Sequence, residues 1–219
     1  MNRTLLVPSP SHLEDPTIWD NLPVLPEDFQ SFPSSQSPIF KELCDRHQPK
    51  RIIEVGSWKG GSVAQWATHA GPECKIYCVD TWLEAADTYI KKLRGYRVPM
   101  QNGHPMTYWT FLSNVRRWGF QKQVFPLVNT STIGAQILGY HGVKAPIVYI
   151  DGDHAYRQAY NDLVDYWPLV EAGGSMLVDD LVTFPGVYAA CLRFIEENQL
   201  WKNHRFVDNN SFALFEKPL

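Results

Sequence analysis

Apolar, strand-like runs near residues 51–56, 75–80, 124–129, 146–151 and 174–179 are each followed by helix-like sequence, and this alternation limits the fold more than any other feature. It predicts a mostly parallel sheet covered by helices on both faces, because parallel neighbours are joined by covering crossovers. A short helix over 39–46 comes first. After the fifth strand, His204-Arg-Phe-Val-Asp208, a turn at Asn209-Asn210 and Ser211-Phe-Ala-Leu-Phe-Glu216 read as a hairpin. With 219 residues, 44% of them hydrophobic, the chain can bury one substantial core. Residues 1–38 stand apart, since Pro8, Pro10, Pro16, Pro23, Pro26, Pro33 and Pro38 are too closely spaced for a long helix. They read as an arm or lid whose Trp19, Phe29 and Phe32 pack on the domain 39–219 or on a partner subunit in a homo-oligomer.

The first strand runs into Glu54-Val-Gly56-Ser57-Trp58-Lys59-Gly60-Gly61-Ser62. Gly56 permits a sharp turn, Gly60 and Gly61 permit close approach, and the new helix offers unpaired N–H groups to a carboxylate or phosphate. The spacing differs from the dinucleotide pattern, which places its second glycine against a pyrophosphate. Here that position is Trp58, and an acid precedes the first glycine. A ligand with an amino acid end therefore fits better than NAD. The second strand ends in Asp80-Thr81-Trp82, where a carboxylate can accept hydrogen bonds from both ribose hydroxyls or cap a helix.

Two further strand tips carry acids: Asp151-Gly-Asp153-His154 after the fourth and Asp179-Asp180 after the fifth. In a parallel sheet these tips share the ligand-binding edge. Converging carboxylates repel one another unless a cation joins them, and all-oxygen donors favour Mg²⁺, with Ca²⁺ or Mn²⁺ as alternatives.

The glycine turn resembles motif I of the class I S-adenosylmethionine-dependent methyltransferases, and the strand-tip acids resemble those of the metal-dependent O-methyltransferases, of both the catechol and the antibiotic-sugar type. The resemblance implies a Rossmann-like α/β fold with a seven-stranded, mostly parallel sheet and a C-terminal antiparallel hairpin. It implies a S-adenosylmethionine site formed by Glu54, Gly56, Ser57, Gly60, Ser62, Asp80, Thr81, Trp82, Thr130, Ser131 and Asp151, with the match at Thr130 and Ser131 loose. Asp151, Asp179 and Asp180 match the metal ligands. His154 matches the general base, and Asp153 a carboxylate proposed for that role in other sugar enzymes. Asp180 stands where catechol enzymes have Asn, and Gly-Asp-His follows Asp151; both departures point toward sugar and natural-product acceptors. The expected reaction is methyl transfer to a hydroxyl of a small-molecule diol. A metal-independent methyltransferase acting on nitrogen, RNA or protein and a non-catalytic nucleotide-binding module are the alternatives.

A net charge of −3 argues against a nucleic-acid partner, and the cluster Lys91, Lys92, Arg94 and Arg97 reads as a solvated helix face. Cys44, Cys74, Cys78 and Cys191 form no C-x-x-C pair, which predicts reduced core thiols in a cytoplasm. No apolar run approaches the roughly 20 residues of a membrane span and no secretory leader is evident, so a soluble, unprocessed chain is expected. Residues 83–108, with Tyr89, Tyr96, Met100, His104 and Tyr108, are expected to wall the acceptor pocket together with the arm.

Overall fold

A computed structural model of the chain describes residues 10–20, 22, 37–85 and 98–219. Phe29, Phe32, Tyr89, Tyr96 and the cluster of Lys91, Lys92, Arg94 and Arg97 lie outside them. The strands of the main sheet are β1 (Arg51–Val55), β2 (Lys75–Asp80), β5 (Val124–Val128), β6 (Ala145–Ile150), β7 (Val170–Val178), β8 (His204–Val207) and β9 (Phe212–Glu216). Their order is β5-β2-β1-β6-β7-β9-β8. The first five are parallel, whereas β9 runs antiparallel to both β7 and β8. Two short strands, β3 (Met100–Gln101) and β4 (His104–Pro105), pair separately.

The covering helices are α1 (Pro38–His47), α2 (Gly61–Ala70), α3 (Thr107–Trp118), α4 (Ser131–Tyr140), α5 (Tyr156–Tyr166) and α6 (Pro185–Glu197). Their starts are written in the sequence. Ser37 caps α1 by accepting from the Ile39 N–H, with Pro38 in the first turn, and Thr130 caps α4 through the Ile133 N–H. In the hairpin turn Asp208, Asn209 and Asn210 are all at positive φ, a conformation that these short polar residues tolerate. β7 begins at Val170, four residues before the expected start, so Gly173 and Gly174 lie inside the strand. A Cβ on Gly174 would stand 2.8 Å from the Pro146 carbonyl, so the neighbouring strand sets the residue there.

Two apolar layers sandwich the sheet. On one face α4, α5 and α6 bury Leu138, Leu163 and Phe194; on the other α1, α2 and α3 bury Phe40, Trp66 and Phe111. Trp66 is fully buried, with its ring 4.2 Å from Phe40 and 5.7 Å from Tyr149. All four cysteines are free and buried. The described part of the N-terminal segment packs on the domain itself: Leu13 on the first layer and Ile18, Trp19 and Leu22 on the second. Glu14 fastens it, accepting from Lys75 Nζ at 2.5 Å and from the Tyr77 hydroxyl at 2.7 Å. Among the described residues no helix is long and apolar enough to cross a membrane.

Candidate active site

A cavity of about 440 Å³ opens at the C-terminal ends of β5, β2, β1, β6 and β7. β1 contributes Gly56 and Trp58, β2 contributes Asp80, Thr81 and Trp82, and β5 contributes Asn129, Thr130 and Ser131. From β6 come Asp151, Gly152, Asp153 and His154, and from β7 comes Asp180.

The turn after β1 is fixed by close packing. Gly56 sits at φ +84°, and a Cβ there would fall 1.9 Å from the Asp151 carbonyl oxygen, so the tips of β1 and β6 touch through bare backbone. Asp80 braces the next part of the turn. Its Oδ2 accepts from the Trp58 N–H at 2.8 Å and its Oδ1 from the Trp82 N–H at 2.7 Å, while Trp82 Nε1 donates to the Trp58 carbonyl at 2.7 Å. Burial pushes the Asp80 carboxyl up, the two backbone N–H groups draw it down, and nearby Glu84 raises it. Glu84 also accepts from Trp58 Nε1 at 3.2 Å and from the Thr107 hydroxyl, tying the turn to α3. Trp58, Trp82, Glu84 and Asp180 all line the cavity with φ between 42° and 68°, the left-handed region that non-glycine residues avoid.

Several residues of the expected S-adenosylmethionine site stand outside the cavity lining. Glu54, Ser57, Gly60 and Ser62 are absent from the cavity wall. Glu54 is fully buried and accepts from Ser62 Oγ at 2.9 Å, so this pair serves the turn from inside. Ser57 is 2% exposed, and Gly60 faces Phe111, whose ring would lie 3.2 Å from an added Cβ. The pattern was visible in the sequence, but the side of the turn each residue occupies depends on the packing of α2 and α3.

Burial pushes the Glu54 carboxyl up to about 8, against the pull of the hydrogen bond from Ser62; Asp80 pushes it up further. Its folded pKa thus exceeds the unfolded one, so its contribution to stability is fully present below about pH 4.5 and is lost as pH rises toward 8. Glu54→Gln is therefore expected to flatten the fall in thermal midpoint between pH 5.5 and 8. An unchanged slope, measured by scanning calorimetry, would show that Glu54 contributes nothing to it.

The acids after β6 and β7 divide into two sets. Ligand atoms of Asp151, His154 and Asp180 lie within 4.8 Å of one another, an arrangement that could hold a cation. His154 Nε2 is 2.9 Å from Asp180 Oδ2, and its ring stacks on Phe184 at 3.8 Å with an interplanar angle of 9°. Asp179 is turned elsewhere. It accepts from the buried Tyr149 hydroxyl at 2.5 Å and from the Asp180 N–H at 2.7 Å. Of the expected trio of Asp151, Asp179 and Asp180, the Tyr149 hydroxyl on β6 joins Asp179 to Asp151, donating to Asp151 Oδ2 at 3.2 Å as well, while the atoms that converge within 4.8 Å are those of Asp151, His154 and Asp180, a mixed oxygen and nitrogen set. Burial drives Asp151 well above the ordinary carboxylate range, reinforced by Asp179 and Asp180. Asp153 Oδ1 accepts from the Ala155 N–H at 2.7 Å, shaping the entry into α5.

Of the segment 83–108, Glu84 and Ala85 line the cavity, whereas Met100, His104 and Tyr108 do not. Tyr108 packs on Trp82 with ring centroids 5.0 Å apart. Glu84, Asn129, Gln158 and Asp162 line the cavity without having been singled out from the sequence. For Gln158 and Asp162 the available signal was their position one and two turns into the helix that follows Asp151-Gly-Asp-His.

A sequence profile described as a methyltransferase domain matches residues 53–181, from β1 to the acids after β7. An uncharacterized protein of Acanthamoeba polyphaga mimivirus is 28% identical over 153 residues, 68% of this chain and 61% of that protein. The chain therefore spans less than two thirds of this curated relative. Among solved structures, the O-methyltransferase from Bacillus cereus in complex with SAH superposes with a TM-score of 0.58 at 15% identity, over 97% of this chain and 94% of the other. The O-methyltransferase NovP gives 0.60 at 15% identity, over 83% and 78%. TomG from Streptomyces achromogenes, an O-methyltransferase involved in tomaymycin synthesis and solved with SAM, gives 0.57 at 17% identity, over 98% and 93%. At these identities the likeness is one of fold.

Proposed function

Because the chain belongs to the methyltransferase domain family, with the Rossmann-like class I sheet of that fold, we propose that it moves a methyl group from S-adenosylmethionine to a hydroxyl of a small molecule with the help of a divalent ion. The observation that carries this reading is the meeting of Asp151, His154 and Asp180 on the wall of the same cavity that Gly56 and Asp80 shape. Neighbouring structures of the same fold, described as O-methyltransferases and holding SAH or SAM, support the donor.

The donor set fits a hard divalent ion. Carboxylates suit Mg²⁺ and Mn²⁺, and Asp151 is buried among acids whose mutual repulsion a cation relieves. Asp151 and Asp180 would hold it, with the His154 imidazole beside them as the proton acceptor. Such an ion, when bound, supplies a Lewis acid that lowers the pKa of an acceptor hydroxyl. The chain does the rest. The backbone turn at Gly56 and the Asp80 brace orient the donor, since transfer needs the methyl carbon and the attacking oxygen held at roughly 3 Å. His154, with Asp180 beside its Nε2 and Phe184 against its face, is placed to receive the hydroxyl proton, and Asp180 stabilises the imidazolium formed. A vicinal diol of a sugar or catechol is the favoured acceptor, because its two oxygens can meet one centre together.

The paired His154 and Asp180 also support a second reading, a base dyad that works without metal. Chelation separates the two. EDTA is expected to abolish turnover while S-adenosylhomocysteine affinity, read by calorimetry, changes by less than about threefold, and Mg²⁺ or Mn²⁺ should restore the rate. Full turnover in metal-stripped protein would remove the ion from the mechanism, and binding of NADH instead of S-adenosylhomocysteine would remove the donor.

A further inference from the structure

The mechanism draws on Asp151 and Asp180 and leaves Tyr149 and Asp179 without a task. Strand register brings these two together. Tyr149 on β6 lies opposite Leu177 on β7, so Asp151 and Asp179 each stand two positions beyond one member of that pair, at the strand tips. Side chains two positions apart on a strand share a face, which puts both carboxylates within reach of one phenol. Tyr149 is 1% exposed, and its ring packs edge-on against Phe40 of α1 at 5.5 Å and Trp66 of α2 at 5.7 Å. Held by that packing, its hydroxyl meets Asp179 Oδ2 at 2.5 Å and Asp151 Oδ2 at 3.2 Å. Asp179 passes the hold on: its Oδ1 accepts from the Asp180 N–H at 2.7 Å, at a residue in left-handed backbone with φ 62°. Both acids of the candidate cation site are thus tied to one buried hydroxyl, Asp151 directly and Asp180 through Asp179.

We propose that Tyr149 is a positioning residue of the methyl transfer, whose hydroxyl sets the separation and aim of Asp151 and Asp180 before a cation arrives. This rests on the metal-assisted reading above. The ring alone would fill the core, and Phe would fill it equally well. Among Phe40, Trp66 and Leu177 a hydroxyl costs more to bury than a bare ring, and its bonds to the two carboxylates are what offset that cost. A phenol keeps its proton at neutral pH, so it holds two acids without adding charge to them. Carboxylates that face one another repel, and without a donor between them they turn apart. The hold on Asp180 also reaches the proton acceptor, since Asp180 Oδ2 lies 2.9 Å from His154 Nε2. Two measurable quantities therefore depend on this hydroxyl: cation affinity through Asp151, and turnover at saturating cation through Asp180 and His154.

Tyr149→Phe in the full chain tests the assignment, because it deletes one oxygen and keeps the ring. Titrated with Mn²⁺ and followed by the paramagnetic resonance of the free ion, the variant is expected to bind about 10–100-fold more weakly than the wild type. Its affinity for S-adenosylhomocysteine, read by calorimetry, should stay within about threefold, which shows that the fold and the donor site are intact. At saturating Mn²⁺ its turnover should fall a further tenfold or about that, with the KM for the donor unchanged. Asp179→Asn keeps the volume and gives up one of the two acceptor oxygens, so it should lower turnover at saturating Mn²⁺ by about tenfold through the released Asp180 backbone. Full turnover there would break the link to Asp180 even should Tyr149→Phe fail to fold. Unchanged or tighter Mn²⁺ binding in Tyr149→Phe would overturn this inference alone. A wild type that binds no Mn²⁺ would overturn the metal-assisted reading and this inference with it.

Discussion

Gly56→Ala is expected to lower stability by more than about 4 kcal/mol and to abolish ligand binding. Two effects add at this position. A non-glycine residue at φ +84° is strained by about 1 kcal/mol. The larger effect is steric: the new methyl group would lie 1.9 Å from the Asp151 carbonyl oxygen and 2.8 Å from Gly152 Cα, both backbone atoms that cannot rotate away. Either β1 separates from β6 or the Asp151 turn moves, and both displace the candidate metal ligand. Gly119 supplies the control. It has φ +82° in the left-handed region with nothing within 4 Å of an added Cβ, so Gly119→Ala isolates the backbone strain. Thermal melts should separate the two variants by roughly 6–12 °C, given 2–4 °C per kcal/mol for a chain of this size. Similar melts for both would mean that the two strand tips are not in contact.

His154→Ala should reduce turnover by roughly 10²–10⁴-fold with S-adenosylhomocysteine affinity preserved. The geometry gives this residue two possible tasks, since the same imidazole that pairs with Asp180 also falls within the cluster with Asp151. They differ in a measurable way. A proton acceptor affects the rate at saturating Mg²⁺, whereas a ligand shifts the Mg²⁺ concentration that gives half-maximal turnover. On the proposed mechanism that midpoint moves by less than about threefold in His154→Ala and by far more in Asp151→Ala. Asp153→Asn should be milder than His154→Ala, because its Oδ1 already serves the Ala155 N–H and an amide oxygen can replace it there. A larger loss in Asp153→Asn would transfer the proton to Asp153.

The sheet, its crossovers and the terminal hairpin were legible because each strand is a short apolar run closed by a turn signal, and the polar residues that follow all arrive at one edge. Asp80, Asp151, His154 and Asp180 accordingly stand on the cavity wall. The division of labour within each motif was less legible. Glu54 and Gly60 belong to the glycine turn by sequence, yet one is enclosed beneath α2 and the other faces Phe111, contacts made across more than fifty residues of chain in the second case. Asp179 and Asp180 are adjacent in sequence and meet different side chains, and Tyr149, whose hydroxyl reaches both Asp179 and Asp151, lies on another strand. Asp162 escaped notice because one polar residue on a helix is ordinarily solvated, and only the fold shows it 1% exposed.

Trp58, Trp82, Glu84 and Asp180 hold the cavity rim in left-handed backbone, each at a cost of about 1 kcal/mol. Summed over the rim, that is a considerable share of the net stability of an ordinary domain. The side chains explain why glycine does not stand there: Asp180 faces His154, Glu84 receives the Trp58 indole, and Trp82 fixes the Trp58 carbonyl. Selection for heat resistance and selection for activity therefore pull in opposite directions at these four positions. An engineer seeking a hardier protein does better at Gln199, which is also left-handed at φ 55° but does not line the cavity. Glycine there relieves the strain without touching the chemistry.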